Sequence, residues 1–310
     1  MKKILFAISF GVILSSSLLF TGCNGCKEIG PNINLTPAAY VDSFYTLTSS
    51  QITSLTTDAH NVLVEEFTGQ TCSNCPSAHT TLEGISAANK GRINIIGLYL
   101  FGIPQANPPA GYTYDLRDSD ATQIGNKVYG GVAALPSGGV DRMQTSTGAI
   151  ITDRSTWADN ISTQLTKTDS VNLTLQSSYN ATTMMAKISA TVTYTNPMSA
   201  KQNLTVVIVE DSMVDLQEFP PGAYPGGFDP NYIFTNVCRG IVSAVPFGDP
   251  VLDTVAVKAK GRAVKRTFNY KLKTTIPAIK PAHCRVIAFI NSTSGTDLHI
   301  LQSAQTKLTP

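Results

Sequence analysis

The chain has no charge to spare. Its 310 residues carry 23 Lys and Arg against 21 Asp and Glu. Loss of residues 1–22, which include Lys2 and Lys3, leaves the remainder formally neutral. That balance excludes a general argument for nucleic acid or for acidic substrates. The one local basic run, Lys258-Ala-Lys260-Gly-Arg262-Ala-Val-Lys265-Arg266, lies in strand-rich sequence and is expected to be a solvated hairpin face. A metal centre lacks ligands: His79 joins Cys72 and Cys75, but no fourth ligand stands nearby, and closed structural zinc needs one. Haem attachment lacks its histidine, because Pro76 follows Cys75. No cofactor is expected.

Export is the first positive reading. Met1-Lys2-Lys3 precedes an almost unbroken apolar stretch from Ile4 to Phe20, the charged-then-apolar order of a secretory signal. A membrane-spanning helix is the alternative. Leu19-Phe20-Thr21-Gly22-Cys23 resembles the bacterial lipoprotein processing box, although Phe20 stands where Leu, Val or Ile is usual. The resemblance implies a signal peptide over 1–22 and a lipid on Cys23, which would anchor the chain and not span it. Residues 23–52, rich in Asn, Thr, Ser and Pro over much of their length, read as a flexible tether.

The most informative segment is Asn61-Val-Leu-Val-Glu-Glu-Phe-Thr-Gly-Gln-Thr-Cys72-Ser-Asn-Cys75-Pro76. An apolar strand ends in a short turn, two cysteines follow, and a helical pattern of Ala78, Leu82 and Ile85 begins. A dithiol at a helix N-terminus meets free N–H groups and the positive end of the macrodipole, which favour thiolate. Pro76 suits a first helical turn. Cys238 and Cys284, each beside a strand-like run, are expected to form a structural disulfide. On the loop-entropy model such a bridge removes roughly 4 kcal/mol of unfolded-chain freedom. Cys26 makes a formal second CxxC with Cys23, with no strand before it or helix after it, and is given no redox role.

Two patterns divide the mature chain. From about 53 to 167 strand and helix alternate: Val62–Val64, the helix stopped by Asn89-Lys90-Gly91, Ile93–Phe101, a proline-rich inserted loop at 102–113, then helices around Ala121–Val128 and Trp157–Leu165. From 168 to 310 come about seven short Val-, Ile-, Thr- and Tyr-rich strands, which argue for an all-β antiparallel sandwich of Ig-like type.

Strand, CxxC, helix, strand, helix and a later proline form the chain order that resembles thioredoxin. The resemblance implies a buried acid beneath the cysteines: counting back from Cys72 points to Glu66, alignment on Val-Leu-Val to Glu65, and strand alternation from Val62 and Val64 favours Glu66. Val132-Ala-Ala-Leu135-Pro136-Ser137 resembles the loop bearing that family's cis-proline, which makes Pro136 the residue that would shape a substrate groove. The whole mature chain resembles a bacterial lipoprotein family named for a twenty-eight-kilodalton outer membrane protein. The likeness rests on Glu65-Glu66-Phe67-Thr68-Gly69 before Cys72-Ser-Asn-Cys75-Pro76, on Leu135-Pro136 before Val140-Asp141-Arg142, and on the strand-rich second half. It implies an α/β thioredoxin-like domain joined to a β-sandwich at the outer membrane, on its periplasmic or surface face.

The functional expectation is thiol–disulfide exchange on envelope proteins: Cys72 attacks, Cys75 resolves, Glu66 accepts a proton. Gln70-Thr71 and Ser73-Asn74 depart from thioredoxin's residues, so oxidant, reductant and isomerase stay open. The rival is a non-catalytic surface lipoprotein with the CxxC disulfide as a staple. Its glycan or protein ligand would meet the loop Phe219-Pro-Pro-Gly-Ala-Tyr-Pro-Gly-Gly-Phe-Asp-Pro230.

Overall fold

A computed structural model describes residues 40–273 and 278–310. The signal segment, Cys23 and Cys26 lie outside the described residues. The first part of the chain alternates strand and helix: β1 (Tyr40–Thr46), α1 (Ser49–Ser54), β2 (Val62–Thr68), α2 (Cys75–Ala88), β3 (Ile93–Tyr99), α3 (Ser119–Gln123), β4 (Ser137–Val140), β5 (Thr152–Asp153) and α4 (Trp157–Gln164). The second part is strand throughout, apart from single 3-10 turns: β6 (Val171–Asn180), β7 (Met185–Tyr194), β8 (Gln202–Glu210), β9 (Met213–Glu218), β10 (Phe228–Phe234), β11 (Val237–Ile241), β12 (Asp249–Pro250), β13 (Arg262–Lys271), β14 (Cys284–Ser292) and β15 (Ile300–Lys307).

The local signals act where expected. Asp118 caps α3 by accepting from the amides of Asp120 and Ala121. Asn89 ends α2, and Lys90 and Gly91 then take left-handed backbone, which halts a helix. Every residue of β2 and β3 is buried, as suits a parallel pair covered on both faces. The residues from Tyr232 to Cys238 fall in two strands. Asn236, at φ 59°, ends β10 and turns the chain into β11.

Three sheets result, mixed but mostly antiparallel. The largest runs β15-β14-β8-β11-β3-β2-β4-β5, with β12 beside β8; a second runs β1-β13-β7-β6; β9 and β10 form a hairpin of their own. A boundary is expected at 167/168; the last α-helix, α4, ends before it and strands follow. The largest sheet nevertheless crosses it, joining β2, β3 and β4 to β8, β11, β14 and β15, and the described residues belong to one compact unit. One face of β8 and β14 (Val206, Ile208, Val286, Ala288) packs against β7 and β13 (Ile188, Val192, Val264, Phe268) as a sandwich. The opposite face (Val207, Val209, Ile287, Phe289) shares a core with Leu63 and Phe67 of β2 and with Ala121 and Ile124. Helices α2 and α4 cover Val62, Val64, Ile93 and Ile95.

Three expectations are corrected. The tether over 23–52 reaches too far: residues 40–46 form β1, whose Asp42 pairs with Arg266 of β13 and whose Tyr40 lies under the same guanidinium. The basic run is only partly solvated, since Lys258 is buried with its ammonium on the Ala200 carbonyl, and Arg266 is buried on Asp42. Cys238 and Cys284 are both free, buried thiols. Cys238 pairs with Val209 and Cys284 with Glu210 across β8, which lies between their strands. Two strand spacings are about 9.5 Å, beyond the roughly 7 Å over which a disulfide can close. Their side chains also enter different cores on opposite faces.

Candidate functional site

The chain leaves β2 at Thr68 and makes a short turn into the disulfide. Cys72 and Cys75 are bonded, with 5.4 Å between their Cα atoms, and the Cys75 amide donates to the Cys72 carbonyl at 3.0 Å. Cys75 is the first residue of α2, with Pro76 beside it. The pair therefore stands at a helix start, as the spacing predicts. Cys72 is the more exposed of the two, but only by 3 % against 0 %.

Two distant segments cover it. The inserted loop lies on one side: the Thr71 amide donates to the Gln105 carbonyl at 3.0 Å. Gly69 is required there, because a Cβ would stand 2.1 Å from that same carbonyl oxygen. The β9–β10 hairpin lies on the other. Its Glu218 amide donates to the Gln70 carbonyl at 2.9 Å. The fully buried Gln217 donates its Nε2 to the carbonyls of Gly69 (3.3 Å), Cys72 (3.1 Å) and Glu218 (3.0 Å). Asp215 joins the two covers by accepting from the amides of Thr113 and Tyr114 at 3.0 and 2.6 Å.

Beneath α2 lies a polar cluster. Alternation along β2 turns Glu66 to the side of Val62 and Val64, against α2, where its Oε1 is 3.4 Å from His79 Nε2. His79 Nε2 also meets Thr68 Oγ1 at 2.9 Å, and Nδ1 meets the Tyr232 hydroxyl at 2.6 Å. Burial pushes the Glu66 carboxyl well above the usual carboxylate range, and the nearby Glu83 adds to the rise. Burial also lowers the His79 imidazole from 6.5 to about 4. The imidazole is therefore neutral near pH 7, donating from one nitrogen and accepting at the other, and the carboxyl beside it is shifted toward its protonated form. Glu66 Oε1 has no hydrogen-bond partner.

Glu65 faces the other way. Arg142 grips it with Nε and Nη2, both at 2.8 Å, and Tyr129 donates to it at 2.7 Å. Of the two adjacent acids, Glu66 is the one against the CxxC helix. The Leu135–Pro136 peptide is cis. Ser137 pairs with Phe67 near the C-terminal end of β2, so Pro136 lies at the end of the sheet from which the CxxC turn departs. Arg154, just before α4, reaches the same end and donates to the Asn74 carbonyl at 3.3 Å.

Of the 219–230 segment, residues 219–227 join β9 to β10 and the rest begins β10. Tyr224 tilts against Phe219 (4.6 Å between ring centroids), and edge-on contacts continue from Phe219 to Tyr232 (5.9 Å) and on to Phe234 (4.8 Å) of β10. A loop singled out as a separate binding element thus belongs to the hairpin that covers the disulfide. Sequence reasoning took His79 only as a metal candidate and missed Gln217 altogether, since a glutamine in a strand carries no signal. It also missed His60, buried between Asp141 (2.7 Å) and Asp169 (2.6 Å). Among the described residues no cluster of His, Cys, Asp and Glu is arranged for a metal ion.

The sequence profile of the family described as Outer membrane protein Omp28 matches residues 125–310, which include Pro136 but not the disulfide. No curated protein matches the chain. Among solved structures, HBP35 of Porphyromonas gingivalis is similar with a TM-score of 0.59 at 16 % identity, over 81 % of this chain and 76 % of that one. At that identity the likeness speaks for fold alone. A domain of the outer membrane lipoprotein Omp28 from the same organism gives a TM-score of 0.30 at 14 % identity, over 46 % of this chain and 90 % of that one. No described helix is long and apolar enough to cross a membrane. With more than half of its length inside the profile, the chain belongs to the Omp28 family, and it is an outer-membrane protein of the cell envelope.

Proposed function

We propose that the protein is anchored by a lipid on Cys23 and exchanges disulfides with polypeptides of the envelope through a thioredoxin-like region at 53–167. One observation carries the reading: the Cys72–Cys75 disulfide opens α2, while the Glu66 carboxyl is buried against that same helix. The helix start lowers the cost of a thiolate there.

A partner's thiolate attacks Cys72 Sγ, the Cys72–Cys75 bond breaks, and Cys75 leaves as a thiolate that takes up a proton, with Glu66 as the nearby acid. A second thiol of the partner then displaces Cys72, leaving the partner oxidised by two electrons and the pair reduced. Run backwards, the same steps reduce a partner's disulfide, with Cys72 attacking, Cys75 resolving and Glu66 accepting the proton. Pro136, at the same end of the sheet, shapes the groove.

The low exposure of Cys72 favours a second reading. Here the protein is a non-catalytic surface lipoprotein that grips a glycan or protein with the 219–230 loop, and the disulfide is a staple. A Cys75→Ser variant in its native envelope decides between them. Mixed disulfides absent from a Cys72→Ser, Cys75→Ser control support exchange and identify partners. No adduct, together with a potential below about −300 mV in glutathione buffers, supports the staple. Globomycin sensitivity and mass spectrometry of the N-terminus test the lipid; an uncleaved, unacylated chain removes it from the proposal.

A further inference from the structure

The hairpin over the disulfide makes contacts of a kind that a polypeptide partner would also need. Three carbonyl oxygens, of Gly69, Cys72 and Glu218, converge on the Gln217 amide nitrogen. The neighbouring Glu218 amide donates to the Gln70 carbonyl. An extended polypeptide approaching the Cys72 sulfur has backbone N–H donors of the same kind, and the carbonyls of Gly69, Gln70 and Cys72 are the acceptors beside that sulfur. In this structure those acceptors are already filled from within the chain.

The hairpin is also set apart from the rest of the fold. It is a two-stranded sheet apart from the other two. Its ends are marked by Ser212 and Asn236, non-glycine residues with left-handed backbone at φ 58° and 59°, positions of the sort at which hinges occur. Beyond its base, where Met213 and Phe234 pack against Tyr99, Leu116 and Val237, side chains tie it to neighbouring segments. Gln217 reaches the CxxC turn, Asp215 the inserted loop, and Tyr232 meets His79 of α2.

We propose that Gln217 is the access-determining residue of the Cys72–Cys75 disulfide. It occupies the acceptors of the CxxC turn as a stand-in for a partner's backbone, so that an extended, cysteine-bearing polypeptide gains the sulfur by displacing it. The selectivity follows. A partner that supplies replacement N–H donors compensates for the bonds it breaks, whereas a small thiol must wait for the hairpin to open unaided. The inference rests on the exchange reading for its biological meaning, but the gate itself is a physical property that can be measured separately.

The test follows reduction of the disulfide in the full mature protein as dithiothreitol is raised. In the wild type the rate should level off at high reductant, because opening of the hairpin becomes limiting. In Gln217→Ala it should keep rising linearly and be about tenfold faster, the scale of one or two lost hydrogen bonds. Tyr232→Phe, which frees the hairpin from α2 without touching the CxxC turn, should shift the plateau upward. It keeps the test alive if Gln217→Ala fails to fold. Reduced, unfolded ribonuclease A should react with the wild type faster, at equal thiol concentration, than dithiothreitol does.

Linear kinetics in the wild type at the rate of an open disulfide, unchanged in both variants, would overturn the inference. Saturating kinetics without any mixed disulfide on envelope polypeptides would keep the gate and remove the exchange function. Efficient polypeptide exchange with linear wild-type kinetics would do the reverse.

Discussion

The Tyr232 hydroxyl and the His79 imidazole meet at 2.6 Å, tying a hairpin of the all-strand half to the helix that opens at Cys75. His79 is uncharged near neutral pH because it is buried, so this is a bond between neutral groups and one of few that hold the hairpin against the CxxC helix. Tyr232→Phe keeps the ring edge-on to Phe219 and Phe234 but leaves Nδ1 without its partner. Urea unfolding should show a loss of about 1–3 kcal/mol, the cost of an unsatisfied buried polar atom. An unchanged midpoint would mean that the imidazole has another partner in solution.

Glu66 should make the protein less stable as pH rises. Its folded pKa is raised, so the native state holds a proton that the unfolded chain has released above its ordinary value of 4.5. Stability contributed by that proton is full below 4.5 and is lost as pH climbs toward the folded pKa. Glu66→Gln should therefore raise the melting temperature at pH 8 relative to wild type and change it little at pH 4. If exchange occurs, the same variant should slow resolution by Cys75. Equal shifts at both pH values would contradict a raised Glu66 pKa.

His60 works with the opposite chemistry and the same sign. Burial opposes its charge, but hydrogen bonds and attraction from Asp141 and Asp169 prevail and raise it from 6.5 to about 10. Asp141 is itself raised by burial, so the proton stays within the cluster. The stabilisation is complete below pH 6.5 and fades as pH approaches 10. His60→Ala leaves the buried Asp141 and the half-buried Asp169 without the imidazole between them and should cost about 3–5 kcal/mol near neutral pH. Chemical denaturation at pH 6 and pH 10 would show the difference shrinking at the higher value.

Cys238 and Cys284 should remain thiols even in an oxidising compartment. Burial pushes the Cys284 thiol up to about 12, and the Cys238 thiol is also raised by burial, so neither offers thiolate at neutral pH. Native protein should leave both unlabelled by maleimide, and denatured protein should label both. Peptide mapping that recovered a Cys238–Cys284 bridge would contradict the β8 spacing.

Gly69→Ala would drive a methyl group into the Gln105 carbonyl. The inserted loop must then move off the CxxC turn. We expect a loss of about 1–3 kcal/mol and faster reduction of the disulfide, measured as above. A variant as stable and as slow as wild type would show that the loop yields without cost.

Much of the CxxC end was legible because it depends on near neighbours in the chain. Strand alternation from Val62 and Val64 turns Glu66 toward α2, the helix begins where Pro76 suits it, and Asn89-Lys90-Gly91 ends it. Asp118 announces its cap. The cover over the disulfide was not legible. Gln217 and Asp215 are ordinary polar residues of a short strand, and their importance comes from carbonyls and amides far away in sequence. The Cys238–Cys284 bridge failed for a related reason, since two strand-borne cysteines look alike whichever strand lies between them.

The amino-acid order by itself determined most of the elements and the helix-start cysteine pair, because capping, periodicity and residue spacing act over a few positions. Only the tertiary structure decided that the two halves share one sheet, that β8 keeps two thiols apart, and that a hairpin from the second half closes over the disulfide of the first. Those outcomes depend on which strands meet, and pairing between distant segments is set by burying both faces of the chain at once. Local sequence does not encode that condition.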